Sequence, residues 1–145
     1  MVVTFCGHAE IASPNIVHSW LKKAMEDLIL EGAETFYLGG YGDFDRLAAA
    51  VVLKMKRQYP HNESVWVLPY LDCKMNTDGY DTTIYPPLET VPRRFAISRR
   101  NKWMVDKADV ILAYVTHDWG GAAKTLAYAK RKNKKIILYT NQTFA

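Results

Sequence analysis

Short apolar runs alternate along the chain with longer stretches of helical period. The runs cover residues 2–6, 35–38, 65–70, 110–115 and 136–139; they hold almost no charge and do not alternate in polarity. Strands covered on both faces read this way, as in a parallel sheet. Between them, Val17, Trp20, Leu21, Ala24, Met25 and Leu28 mark one helix face, with Ser13-Pro14 as N-cap and first helical residue and Gly32 as the stop. Phe44, Leu47, Ala48, Val51, Val52 and Met55 mark a second helix, which Tyr59-Pro60 ends. A third opens near Pro92 and runs to about Lys107, and a fourth follows Gly121 through Ala122, Leu126 and Ala129. This order predicts an α/β fold in one domain over residues 1–145. Its core is a Rossmann-like, doubly wound sheet of about five mainly parallel strands, with helices on both faces. Residues 71–91 carry neither period, and a loop that long inside a small domain reads as a lid or binding loop.

Composition narrows the class. The chain has 145 residues, enough for one sizeable core. No apolar run reaches the roughly 18 residues of a membrane span, and the first strand begins without a basic leader. Cys6 and Cys73 are too few for a disulfide framework, and no metal-type spacing surrounds them, so the reading is a cytoplasmic protein with no metal and no cofactor. The net charge of +4 is modest but clustered, in Arg93, Arg94, Arg99, Arg100 and Lys102 and again in residues 130–135. The first cluster suits phosphate; the second reads as cations at a helix C-terminus.

In open parallel sheets, ligands bind outside the carboxyl ends of the strands, where strand order reverses. Four stretches fall at such ends: Gly7-His8; "GGYGD" with Gly39, Gly40, Gly42 and Asp43; Tyr70 with the long loop; and "HDWGGAAKT" with His117, Trp119, Gly120, Gly121 and Lys124. Glycines at a strand-to-helix turn let a ligand approach the main chain, and the helix start beyond them favours an anion. Neither glycine stretch fits the dinucleotide fingerprint or a P-loop. Asp43 reads equally as a helix cap or as an acceptor for ribose hydroxyls. His8 and His117 read as structural or as hydrogen-bonding groups.

Taken in order, "TFCGH", "GGYGDFD", "VLPY", "IYPPLETVPRRFAISRRNKWMV", "ADVILAYV" and "WGGAAKTLAYAKRK" resemble the SLOG superfamily. These Rossmann-like domains are grouped with the Lonely Guy phosphoribohydrolases and the DNA-processing protein Smf/DprA, and the closer likeness is to a family of short bacterial and phage SLOG proteins. The resemblance implies a bacterial or phage-encoded protein that binds a nucleotide-derived small molecule, often as a homodimer. Lonely Guy enzymes carry arginine-lysine-x-x-methionine, then glycine-glycine-x-glycine-threonine with a glutamate shortly after. Arg100 and Met104 keep the first spacing, with Asn101 in the lysine position. Ala123 replaces the third glycine, and Leu126 and Ala127 fill the glutamate region. An oxocarbenium-like sugar needs a nearby carboxylate, so these departures weigh against hydrolysis.

The leading expectation is therefore a sensor or sequestering protein for an ADP-ribose-like molecule or a nucleoside monophosphate. Main-chain contacts come from the glycines, phosphate pairing from Arg100 and Lys124, ribose or base reading from Asn101 and His8, and stacking from Tyr70 or Trp119. N-glycosidic hydrolysis stands second, with Asp43, Asp45, Asp78, Asp81, Glu89 and Asp118 as candidate carboxylates. Single-stranded nucleic-acid binding stands third, since the charge is small and its clusters have local explanations.

Overall fold

The computed structural model describes residues 1–72 and 79–140. Its elements run β1 (Val2–Gly7), α1 (Pro14–Leu30), β2 (Thr35–Leu38), α2 (Asp43–Gln58), β3 (Glu63–Val67), β4 (Thr82–Ile84), α3 (Arg93–Lys107), β5 (Val110–Tyr114), α4 (Gly121–Arg131) and β6 (Lys135–Leu138). The strands form one sheet in the order β4-β3-β2-β1-β5-β6, and every neighbouring pair is parallel. Chain order reverses between β1 and β5. That point is where a doubly wound sheet opens a crevice at its carboxyl edge.

The two faces are filled by different helices. Val17, Leu21, Met25 and Leu28 of α1 and Phe44, Ala48, Val51 and Val52 of α2 pack with Val3, Phe5, Phe36 and Leu112 into the larger core. On the other face, Val105 of α3 and Leu126 and Ala129 of α4 pack with Cys6, Ile111 and Ala113. Met104 joins Val65 and Val67 in a smaller cluster beside it. The apolar stripes read from the sequence are the buried faces.

The ends of the elements differ in places from their reading. Gly32, at φ 112°, ends α1 as expected: its N–H donates to Ile29 O and the Ala33 N–H to Leu28 O. Ser13 does not act as a side-chain cap; it sits in the left-handed region at φ 54°, and its carbonyl begins the helix ladder. Asp43 does not cap α2 either. Gly42 is the N-cap, and Asp43 lies in the first turn, ion-paired with Arg46 one turn on. The third strand starts two residues earlier than read and stops at Val67, where the carbonyl turns to Arg100 and Pro69 soon follows.

Within 71–91 the chain is not all loop. Residues 82–84 form β4 on the edge of the sheet beside β3. Its sequence, Thr-Thr-Ile, is short, polar and half exposed, so it lacks the apolar signal of the inner strands. Asp81 anchors its start: the carboxylate pairs with Lys56 and accepts the Ser64 N–H at 2.8 Å. Burial works against ionising Asp81, yet the bonds from Lys56 and Ser64 prevail and hold its pKa below the usual carboxylate range. Cys73 and Asp78 lie outside the described residues.

The basic run after α4 serves the helix ends. Lys130 and Arg131 fall in the last turn of α4, Asn133 turns the chain at φ 56°, and Lys134 Nζ donates to the carbonyls of Asp106 and Ala108 at the end of α3.

Candidate functional site

A cavity of about 440 Å³ opens over the carboxyl ends of β1 and β5, at the point where strand order reverses. Its walls include Gly7, His8, Arg100, Asn101, His117, Trp119, Gly120 and Gly121, all singled out in the sequence. They also include Glu10, Tyr41, Asp45 and Ile97. A second cavity of about 230 Å³ adjoins it at the ends of β2 and β3, and Gly39, Gly40 and Tyr70 line that one together with Arg100. Gly42, Asp43 and Lys124 belong to neither wall.

The two glycine stretches share this rim, but they differ in what their amides can still do. At α2, the Asp43 N–H donates to Ala9 O at 2.9 Å, the Phe44 N–H to His8 O at 3.4 Å, and the Tyr41 N–H to Asp45 Oδ2 at 3.0 Å. The protein's own chain thus fills the anion position at that helix start. Gly42 serves this closure: at φ 91°, a Cβ there would lie 2.8 Å from Ala9 Cα. Gly7 is likewise a packing glycine, since its Cβ would fall 2.2 Å from the Phe44 ring. The expectation of a main-chain contact at Gly42 is corrected on this ground; Asp43, expected as a cap or a ribose acceptor, is instead ion-paired with Arg46 and lines neither cavity.

At α4 the helix start stays open. Gly120 is the N-cap at φ 91°, and the first intrahelical bond at this end is Lys124 N–H to Gly120 O. The amides of Gly121, Ala122 and Ala123 find no acceptor among the described residues. A Cβ on Gly120 or Gly121 would meet nothing within 4 Å. Three unpaired donors at the positive end of a helix dipole, two of them on residues of the cavity wall, have the arrangement that favours an anion.

Beside them three rings stack. His8 lies 3.7 Å from His117, and His117 lies 3.8 Å from Trp119, all nearly parallel. His8 Nε2 accepts the Thr116 N–H at 2.8 Å, so this nitrogen carries no proton. Burial, with His117 next to it, keeps the His8 pKa below its ordinary value. His8 is therefore a neutral strut that fixes the β5–α4 loop. His117 Nδ1 is buried and has no hydrogen-bond partner among the described residues. Trp119 gives one face to His117 and remains 68% exposed, which leaves its other side at the mouth of the cavity.

Arg100 has a different role from the expected one. It is 1% exposed; Nη1 donates to Gly39 O at 2.9 Å and Val67 O at 2.8 Å, and Nε to Asn101 Oδ1 at 3.0 Å. The guanidinium ties the ends of β2 and β3 to α3, and with those donors committed it is a structural cation under the floor. Lys124 is exposed and is not among the residues of the cavity wall, so the charge expected from it is absent there.

Asp45 stands out among the candidate carboxylates. It lines the cavity, and burial raises its pKa to about 6, against the opposing pull of the Tyr41 N–H and then Arg100. A raised carboxylate makes the native state bind more protons than the unfolded chain between its unfolded and folded values. Its stability contribution is complete below about pH 4 and declines as pH climbs through about 6. Asp45→Asn should lack this decline, so urea unfolding at pH 4 and pH 7 is expected to show the variant gaining stability relative to wild type at the higher pH. Of the other carboxylates considered, Asp43 and Asp81 are ion-paired away from the cavity, and Glu89 and Asp118 do not line it.

Comparison with known proteins agrees with the architecture. No family model matches the chain. A UPF0398 protein of Halalkalibacterium halodurans is 27% identical over 134 residues, which cover 81% of this chain and 71% of that protein. DNA processing protein A from Helicobacter pylori, whose single-stranded DNA binding mode is the subject of its structure, superposes with a TM-score of 0.68 at 15% identity, over 99% of this chain and 66% of that one. The corresponding protein from Streptococcus pneumoniae gives 0.69 at 15% identity, over 98% and 51%. The Moco carrier protein of Chlamydomonas rheinhardtii gives 0.57 at 18% identity, over 94% and 74%. This chain therefore spans between half and two-thirds of the two DNA processing proteins, and at these identities the likeness is one of fold. Among the described residues, no helix is long and apolar enough to cross a membrane.

Proposed function

We propose that this chain binds a phosphorylated nucleotide derivative as a sensor or sequestering protein, with the phosphate on the first turn of α4. One observation carries the reading: three unpaired amides start α4, and two of them, on Gly121 and Ala122, belong to residues of the wall of a cavity of about 440 Å³ at the reversal of strand order. The size suits a small organic ligand, for which pockets of roughly 300–1,000 Å³ are usual. The wall offers Trp119 for stacking, Asn101 and Glu10 for polar contacts, and open space above Gly120 and Gly121. Membership of the SLOG superfamily, supported by the motif order and by the fold shared with the DNA processing proteins, fits a nucleotide-like ligand. Isothermal titration with AMP and ADP-ribose tests it: micromolar to sub-millimolar binding is expected, and no heat at millimolar ligand would end the proposal.

Two observations keep other readings in view. The likeness to a protein studied for single-stranded DNA binding, together with the exposed Arg93, Arg94, Arg99 and Lys102 of α3, favours a nucleic-acid surface as the second reading. Such binding falls steeply with salt. A gel-shift series from 50 to 200 mM salt that retained tight, salt-sensitive binding of an oligonucleotide, with no response to AMP, would put this reading first. Asp45 in the cavity wall supplies the carboxylate that glycoside hydrolysis needs. Release of free adenine from AMP would move the chain to that class.

A further inference from the structure

The two cavities are not independent. Tyr41, Ile97 and Arg100 belong to the walls of both. Arg100 is fixed, being buried and bonded to Gly39 O and Val67 O, so it forms a rigid sill. Tyr41 is 64% exposed, and its backbone is held by the Asp45 carboxylate, so its side chain stands at the rim and not between closed rooms. At about 230 Å³, the second chamber is smaller than the usual range for a complete ligand pocket. It is the size of an annex.

The annex differs in chemistry from the main chamber. The main chamber has the anion site of α4. The annex is floored by Trp66, whose ring is buried and whose Nε1 donates to Gly39 O, and it is flanked by Tyr70. The Arg93 guanidinium covers the Tyr70 ring at 4.0 Å and is itself held by Asp72 at 3.0 and 3.2 Å. A flat aromatic wall edged by a cation and a carboxylate accepts a planar ring or a hydroxyl-rich sugar.

We infer that the two chambers are one bipartite site, which takes a nucleotide whose phosphate carries a second sugar or base: the phosphate rests on α4, and the appended group crosses the Arg100 sill into the annex beside Tyr70. This rests on the proposed function, because it needs the phosphate at α4. It adds that the ligand has two separately held ends, of the kind joined in ADP-ribose, and is not a simple monophosphate.

Isothermal titration of AMP and ADP-ribose against wild type, Tyr70→Ala and Arg93→Ala separates the two claims. Arg93 is exposed, so its variant keeps the fold even if the Tyr70 variant does not. Wild type should bind ADP-ribose about tenfold or more tighter than AMP. Each variant should lose most of that advantage while binding AMP as before. Equal wild-type affinity for the two ligands, with both variants silent, overturns the bipartite site and leaves the phosphate site standing. A variant that weakens AMP as much as ADP-ribose also overturns it, by placing the mononucleotide itself in the annex. Absence of binding by either ligand removes the phosphate site and the inference with it.

Discussion

Replacing Gly121 with valine is expected to weaken AMP and ADP-ribose binding about tenfold or more while leaving the melting temperature close to that of wild type. The separation follows from the geometry. Gly121 does not occupy the left-handed region, and a Cβ there meets nothing within 4 Å. Valine is thus accepted by the protein, and at the first position of α4 its helix propensity matters little. Its methyl groups would instead occupy the space above the unpaired amides of Gly121, Ala122 and Ala123, where the phosphate is proposed to sit. Tenfold corresponds to about 1.4 kcal/mol, a modest share of a charge-assisted contact with several donors. Gly120→Val would be a poorer probe, since φ 91° at that position strains any side chain whatever the space. Unchanged affinity in a folded Gly121→Val protein would show that no ligand approaches α4.

Arg100→Ala should do the reverse, and by a larger free energy. Removing the side chain takes from the Val67 carbonyl its Arg100 donor and leaves the Gly39 carbonyl with the Trp66 Nε1 bond, at buried residues. It also removes a cation that favours the ionised form of Asp45. Losing a buried charged donor and leaving its acceptors unmatched costs about 3 kcal/mol. For a chain of this length, this is a fall in melting temperature of roughly 10 °C. A phosphate-binding arginine at a cavity mouth would behave otherwise, losing ligand affinity with little change in stability. Chemical denaturation of the free protein therefore distinguishes the sill from a ligand contact.

Much of the fold was legible because its signals are local. The uncharged runs at 35–38 and 110–115 hardly needed interpretation: a strand buried on both faces has no polar side to show. The stripe from Val17 to Leu28 and the stop at Gly32 were equally plain. Strand β4 was not, because an edge strand of Thr-Thr-Ile owes its place to Asp81 and to pairing with β3, neither of which leaves a pattern in three residues.

The site divides along the same line. Gly120 and Gly121 could be read as an open helix start from the turn chemistry alone. Gly42 carries the same signal, yet its amides are spent on the β1–α1 loop, a contact between segments more than thirty residues apart. Arg100 looked like a phosphate ligand because charge on a helix is usually exposed. Only the approach of α3 to the ends of β2 and β3 reveals that it is buried. Asp45 shows the converse. The sequence names it as one of six candidate carboxylates, while its raised pKa arises from burial that no local sequence describes. Lys124 follows the open turn in the chain yet is not part of the cavity wall, which the sequence alone does not reveal.

The most direct test follows the backbone amides by two-dimensional nitrogen–proton NMR during titration with ADP-ribose. The largest shifts are predicted at Gly121, Ala122 and Ala123, with Asp43 and Phe44 little changed because their N–H groups already donate to Ala9 and His8. Shifts confined to α3 around Arg94 and Arg99, or to the start of α2, with the α4 amides unmoved, would contradict the account.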